Sequence, residues 1–292
     1  MQLQQASRKK AKIKMAIQGP SGAGKTMFAL LIAYGLCGIW EHIAVIDTEN
    51  HSADLYDHLG AYKTVSIGAP FTPEKYIEAL QLCISSGMEV VIIDSVSHEW
   101  EGSGGILDIH GRMQGNSYTN WAVVTPRHNA FVQAMLQSPV HIIGTIRSKQ
   151  DYVLSERNGK VVPEKVGLKG ITRDGTDYEF TLVFDINMKH YAIASKDRTR
   201  LFIDKPEFKP GTDTGASILT WCNEGIVPIE DRINGCLSVQ ELIALYEASP
   251  QFQQAYAQAF TNKKLQLQND PLQGNNNTHQ IKPSANGIHT HS

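Results

Sequence analysis

The clearest chemistry in this chain lies in eight consecutive residues. Gly19-Pro20-Ser21-Gly22-Ala23-Gly24-Lys25-Thr26 fits the pattern GxxxxGK[ST] at every fixed position. Glycines let a backbone curl until successive N–H groups converge on phosphate oxygens. A helix that opens at the end of such a turn adds its partial positive charge. Lys25 is then placed to reach β- and γ-phosphates, and the Thr26 hydroxyl to ligate Mg²⁺. With Met27 on the first helical turn, Gly19 through Met27 is the candidate nucleotide-binding stretch.

Hydrolysis at such a site needs a second carboxylate for the metal and a residue that orients water. Two apolar runs end in acid: Ala44-Val45-Ile46-Asp47-Thr48-Glu49 and Val90-Val91-Ile92-Ile93-Asp94-Ser95. Ligands gather at the C-terminal ends of parallel strands, so both ends are candidates. Asp94, preceded by a run of apolar residues and followed by Ser95, is assigned to Mg²⁺. Glu49 is the candidate general base. For both, a solvated or helix-capping carboxylate is the alternative that spacing leaves open.

These side chains need a scaffold, and the pattern supplies one. Strands are expected at Ile13–Gln18, Ile43–Asp47, Thr64–Ile67, Val90–Asp94 and Val140–Ile146. Helices are expected from Lys25 to about Leu36, over Ser52–Leu59, and from Pro73 to about Ser85. The unalternating apolar runs suit strands buried on both faces of a parallel sheet, and strand–helix alternation gives an α/β layered fold. Glu101 to Gly105 reads as a flexible stretch. Thr125-Pro126 predicts a helix start, with Phe131, Met135 and Leu136 continuing it. Beyond Ile146 the pattern turns antiparallel. Asn158-Gly159 between Tyr152–Glu156 and Lys160–Val162 signals a hairpin, and Phe180–Asn187 with Tyr191–Ala194 a second. Helices follow from about Gly215 to Leu265, one over Val239–Tyr246.

The 292 residues are 41% hydrophobic and 19% charged, with a formal net charge of −2. A soluble globular protein fits, and a strongly basic nucleic-acid-binding surface is not offered by the chain as a whole. No run approaches the roughly 18 to 20 apolar residues of a membrane span. Met1 to Lys14 is basic, with Arg8, Lys9, Lys10, Lys12 and Lys14, and lacks the apolar core of a secretory signal. Four scattered cysteines without CxxC spacing favour a reducing cytoplasm over disulfides or zinc. From Gln266 the chain is rich in Asn, Gln, His, Pro and Gly, which predicts a disordered tail whose His279, His289 and His291 are solvated. The expected layout is a basic arm over 1–11, a core over 12–210, a helical extension over 211–265 and a polar tail over 266–292.

GPSGAGKT at 19–26, IDTE at 46–49, VVIIDS at 90–95 and IIGTIRSK at 142–149 together resemble the RecA-like ATPases, and more closely the phage- and prophage-type RecA-like AAA family ATPases, some of them single-strand annealing proteins. The resemblance covers about residues 12 to 205. It implies a RecA-like P-loop core with a mostly parallel central sheet flanked by helices, antiparallel hairpins on its C-terminal side and a small helical extension. It implies a DNA-coupled, Mg²⁺-dependent ATPase in recombination, annealing or repair, working in a bacterial host cytoplasm if phage-encoded. The position of the family's catalytic glutamate is Glu49. Where the family places a γ-phosphate sensor, commonly Gln, this chain has the shorter Thr145. Ser195-Lys196-Asp197-Arg198 is similar to a Lys-x-Arg finger that enters a neighbouring subunit's site, which requires a homo-oligomer, ring or filament. A surface turn is the alternative. The segments matching the family's single-stranded DNA loops, about 100–120 and 147–175, carry Trp100, Arg112, Tyr118, Trp121, Arg147, Lys149, Tyr152, Arg157, Lys160, Lys165, Lys169 and Arg173. For these, a core tryptophan and a solvated hairpin are the alternative. A single-strand binding protein is the implied partner. Two other functions stay open: a nucleotide-gated annealing module with negligible turnover, and a small-molecule P-loop kinase.

Overall fold

The computed structural model describes residues 11–157, 160–224 and 229–268, and the side chains of 150–168 lie outside the described set. Arg8, Lys9, Lys10, the Asn158-Gly159 turn and the tail histidines therefore fall outside the described residues. So do the side chains of Tyr152, Arg157, Lys160 and Lys165.

The chain runs β1 (Lys14–Gly19), α1 (Lys25–Cys37), β2 (Ile43–Asp47), a 3₁₀ segment (Ser52–Leu59), β3 (Lys63–Ser66), α2 (Pro73–Ser85) and β4 (Val90–Asp94). It continues through α3 (Ser97–Glu101), α4 (Ile106–Arg112), α5 (Ser117–Gln137), β5 (His141–Arg157), β6 (Lys160–Gly170), β7 (Leu182–Ile186), β8 (Ala192–Asp197) and α6 (Thr212–Asn223). The sheet order is β3-β2-β4-β5-β1-β7-β8. The pairings β2–β3, β2–β4, β4–β5, β1–β5 and β1–β7 are parallel, whereas β8 pairs β7 and β6 pairs β5 antiparallel. This is the expected mixed α/β fold of a P-loop core.

Period two along each central strand divides the core. Met15, Ile17, Ile43, Val45, Val90 and Ile92 face α1 and α6. Ala16, Ala44, Ile46, Val91 and Ile93 face α2 and α5, against Tyr76, Leu80, Phe131 and Met135. Burial on both faces is why these strands read as unbroken apolar runs. Helix α1 is itself sandwiched, with Phe28, Ala29, Leu30, Ile32, Ala33 and Leu36 buried. It meets α6 so closely that a Cβ on Gly35 would lie 2.0 Å from the Thr212 carbonyl, and one on Gly215 2.1 Å from that of Ile32. That contact draws α6 into the core, and the first compact unit runs to Glu224.

Two local expectations differ. Pro126 does not start a helix. α5 begins at Ser117, capped by Asn116 accepting from Tyr118 N at 2.8 Å, and Pro126 lies inside it. The Asn116 cap outranks the Thr-Pro signal, and the proline costs the hydrogen bond to the Ala122 carbonyl. β5 also does not stop at Ile146. It leaves the sheet and continues as one arm of the β5–β6 hairpin.

The second unit, taken by itself, is helical: α7 (Ile229–Gly235), α8 (Val239–Glu247) and α9 (Ala257–Gln268), packed through Ile229, Ile233, Leu242, Leu245 and Phe260. No helix among the described residues is long and apolar enough to cross a membrane.

Candidate active site

The eight-residue turn bridges the end of β1 and the start of α1. Gly22 and Gly24 stand at φ +80° and +90°, a left-handed backbone that L side chains rarely adopt. Gly24 is the N-cap of α1, so the free N–H groups of the first helical turn open beside the loop. Lys25 Nζ folds back over the turn, donating to the carbonyls of Gly19 and Pro20 at 3.0 Å each. Burial lowers the Lys25 pKa, while Asp94 and Glu49 pull it back up. Those carbonyls hold the ammonium where phosphate oxygens would claim it.

Asp94 ends the neighbouring strand β4 and is buried. Thr26 Oγ1 donates to its Oδ2 at 2.6 Å, and Thr145 Oγ1 to its Oδ1 at 2.5 Å. Burial pushes the Asp94 carboxyl pKa up, and the two hydroxyls oppose that shift. A hydroxyl and a carboxylate oxygen side by side next to a phosphate loop suit Mg²⁺, a hard cation that takes few protein ligands and completes its shell with phosphate and water.

Asp47 ends β2 level with Asp94 and takes a structural post. Its oxygens accept from Glu49 N at 2.7 Å and Ala53 N at 2.9 Å, which turns the chain so that Glu49 enters the cavity. Across the cis Asp94–Ser95 peptide, Ser95 N donates to Thr48 Oγ1 at 2.8 Å, and His98 Nδ1 meets the same oxygen at 2.8 Å. Glu49 Oε1 lies 3.5 Å from Arg147 Nε and 4.0 Å from His98 Nε2.

A cavity of about 590 Å³ joins these groups. Ser21, Gly22, Gly24, Lys25, Thr26, Met27, Glu49 and Asp94 line it, with Phe28, Ser52, Tyr56, His58, Arg147, His190 and Lys209. The sequence residues Gly19, Pro20 and Ala23 support the turn rather than line the cavity. Thr145 is fully buried and holds Asp94, so its hydroxyl is not directed at a ligand. His190, from the β7–β8 turn, has Nδ1 3.0 Å from the Ala23 carbonyl. No sequence pattern pointed to His190, His98 or Lys209. Arg147 had a signal, standing two residues beyond Thr145 on the same face of β5.

A family model for the AAA domain matches residues 11–213. The chain belongs to the AAA domain family. No curated protein matches the chain. Membership makes this AAA domain a nucleotide-binding ATPase domain.

Other candidate residues of this AAA domain gather elsewhere. Trp100, Trp121, Lys149, Lys169 and Arg173 line a second cavity of about 630 Å³, with Glu101, Leu107 and Asp174. His110 stacks on Trp121 at 4.1 Å, and Trp100 lies 5.9 Å from the same ring. Arg112 pairs with Asp108 at 2.7 Å, Tyr118 is exposed, and Arg147 belongs to the nucleotide cavity instead. Lys196 is the penultimate residue of β8, and Arg198 stands just beyond the strand's end. Lys196 Nζ donates to the carbonyls of Asp177 at 3.2 Å and of Tyr178, and Arg198 Nη2 to that of Tyr178 at 3.5 Å. Both cations therefore sit on the β8 edge and do not line the cavity of their own chain.

Proposed function

We propose that this AAA domain hydrolyses ATP with Mg²⁺ in step with single-stranded DNA, in recombination, annealing or repair. The observation that carries the hydrolytic half is the meeting of Lys25, Thr26, Asp94 and Glu49 in one cavity. In this reading the loop N–H groups and Lys25 bind the phosphates, while Thr26 and Asp94 hold Mg²⁺. Mg²⁺, when bound, supplies charge that offsets the phosphate oxygens. Thr145 fixes the Asp94 rotamer. Glu49 accepts the proton of the attacking water. The bond from the γ-phosphorus to the bridging oxygen breaks, ADP leaves, and the proton departs with inorganic phosphate.

The DNA half is supported by the second cavity, where an aromatic stack stands against Lys149, Lys169 and Arg173, a combination suited to base stacking and backbone tracking. Coupling is supported by two elements: β5 carries Arg147 to one cavity and Lys149 to the other, and α3 carries Trp100 to the second cavity and His98 against Arg147 and Glu49 of the first. Placement of Lys196 and Arg198 on an edge strand supports action on a neighbouring copy in a ring or filament. Phage origin and a single-strand binding protein as partner rest on the sequence resemblance.

The test is steady-state ATP hydrolysis and light scattering, each with and without single-stranded DNA. Turnover that rises with DNA, together with a larger assembly, is expected. DNA binding with no turnover would replace this reading by a nucleotide-gated annealing module. Phosphoryl transfer to a small acceptor would replace it by a kinase.

A further inference from the structure

Resting on the ATPase reading above, the geometry points to Arg147 as the group that reads the terminal phosphate of ATP within its own chain, leaving Glu49 for that phosphate when ATP binds. Thr145, at the end of the parallel part of β5, has its hydroxyl committed to Asp94 at 2.5 Å. A strand returns to the same face after two residues, and that residue is Arg147, long enough to enter the nucleotide cavity beside Lys25.

The Arg147 main chain is anchored and its head is loosely held. Arg147 N donates to Ser97 Oγ at 2.9 Å. The guanidinium makes long, single contacts: Nε to Glu49 at 3.5 Å, and Nη1 to His98 Nε2 at 3.3 Å. Arginine offers five donors and no acceptor, so His98 Nε2 must accept, and the His98 proton sits on Nδ1. That proton goes to Thr48 Oγ1 at 2.8 Å, and the Thr48 hydroxyl goes on to the Asp94 carbonyl at 3.1 Å. Phe71, stacked on His98 at 4.9 Å between ring centres, keeps the imidazole in that orientation. A chain of donors thus runs from Arg147 to the main chain of the metal-binding aspartate.

A terminal phosphate offers what Glu49 does not: more negative charge and oxygens spaced for a two-pronged guanidinium contact. Exchange of Arg147 from carboxylate to phosphate makes and breaks no covalent bond. It leaves the Glu49 carboxylate unpaired and available to water. ADP lacks the terminal phosphate and leaves the Arg147–Glu49 pair in place. Arg147 would therefore link base activation to the presence of ATP.

Calorimetric binding to the full chain with Mg²⁺ tests this, using ADP and a β,γ-imido ATP analogue. Arg147→Gln is expected to weaken the analogue by about tenfold or more while ADP stays within about twofold. Arg147→Lys, which keeps the charge without the fork, is expected to recover part of the loss. Unchanged analogue affinity in Arg147→Gln overturns the role. Parallel loss of ADP and analogue overturns it too, because Arg147 would then shape the cavity rather than read the phosphate. Wild-type protein that binds neither nucleotide would overturn the ATPase reading itself, a result separable from a failure confined to Arg147.

Discussion

The cavity at Gly19–Thr26 and the cavity beside Trp121 are similar in volume, about 590 and 630 Å³, and are built in opposite ways. The first is made from a main-chain turn and strand ends, with its key side chains held by short bonds: Thr26 and Thr145 on Asp94, and two backbone N–H groups on Asp47. The second is made from side chains on α3, α4 and α5 and on the base of a hairpin. Its cations are tied at the solvent-facing surface, Lys169 to Asp174 at 2.8 Å and Arg173 to Asn129 at 3.4 Å. A site formed by main chain and strand ends tolerates little change in residue type. One formed by stacked rings and exposed cations is free to vary in sequence while keeping its chemistry.

The largest test of that contrast is Lys25→Ala. ATP turnover is expected to fall at least about 100-fold, the scale of losing a preorganised charge at a reacting phosphate. DNA affinity measured without nucleotide is expected to hold, since Lys25 does not line the second cavity. Glu49→Gln comes next. Nucleotide binding should persist while hydrolysis slows by about 10² or more, as for loss of a general base. Equal turnover would remove Glu49 from that role.

The reverse experiment is Trp121→Ala. Removing one stacking platform should weaken single-stranded DNA binding by about tenfold, measured by fluorescence anisotropy, and leave ATP affinity unchanged. A variant that loses ATP binding as well would show the two cavities to be one structural unit.

An effect on stability alone, touching neither ligand, concerns the sheet beneath both cavities. Buried His141 accepts from Ile13 N at 3.2 Å, and burial, with Lys12 and Lys14 nearby, lowers its pKa to about 3. The unfolded chain binds this proton below pH about 6.5 and the native chain does not, so stability falls as pH drops from about 6.5 toward about 3. One such group contributes at most about 1.4 kcal/mol per pH unit. His141→Gln should therefore flatten the acid side of a urea-denaturation series. Identical slopes would remove His141 as the cause.

The same contrast explains what the sequence disclosed. Gly19 to Thr26 and the acidic strand ends were legible because turn chemistry and strand direction fix their positions through local spacing. The central strands were legible because burial on two faces demands apolar residues without interruption. Helix α5 was misplaced because a Thr-Pro pair imitates a helix start that the Asn116 cap had already made. Arg147 lines the first cavity by its direction along β5, which its place at the head of the 147–175 segment does not disclose. His190 reaches the first cavity, and His98 the Arg147 and Glu49 side chains that line it, from elements brought there by tertiary packing, with no pattern in their neighbours to announce it.

In the proposed reaction, the Gly19–Thr26 cavity transfers the terminal phosphate of ATP to water. Turnover in ¹⁸O-labelled water measures this directly. Released phosphate is expected to carry a single ¹⁸O, at a rate lost in Lys25→Ala. Absence of turnover, transfer of the phosphoryl group to another acceptor, or an unchanged rate in Lys25→Ala would contradict it.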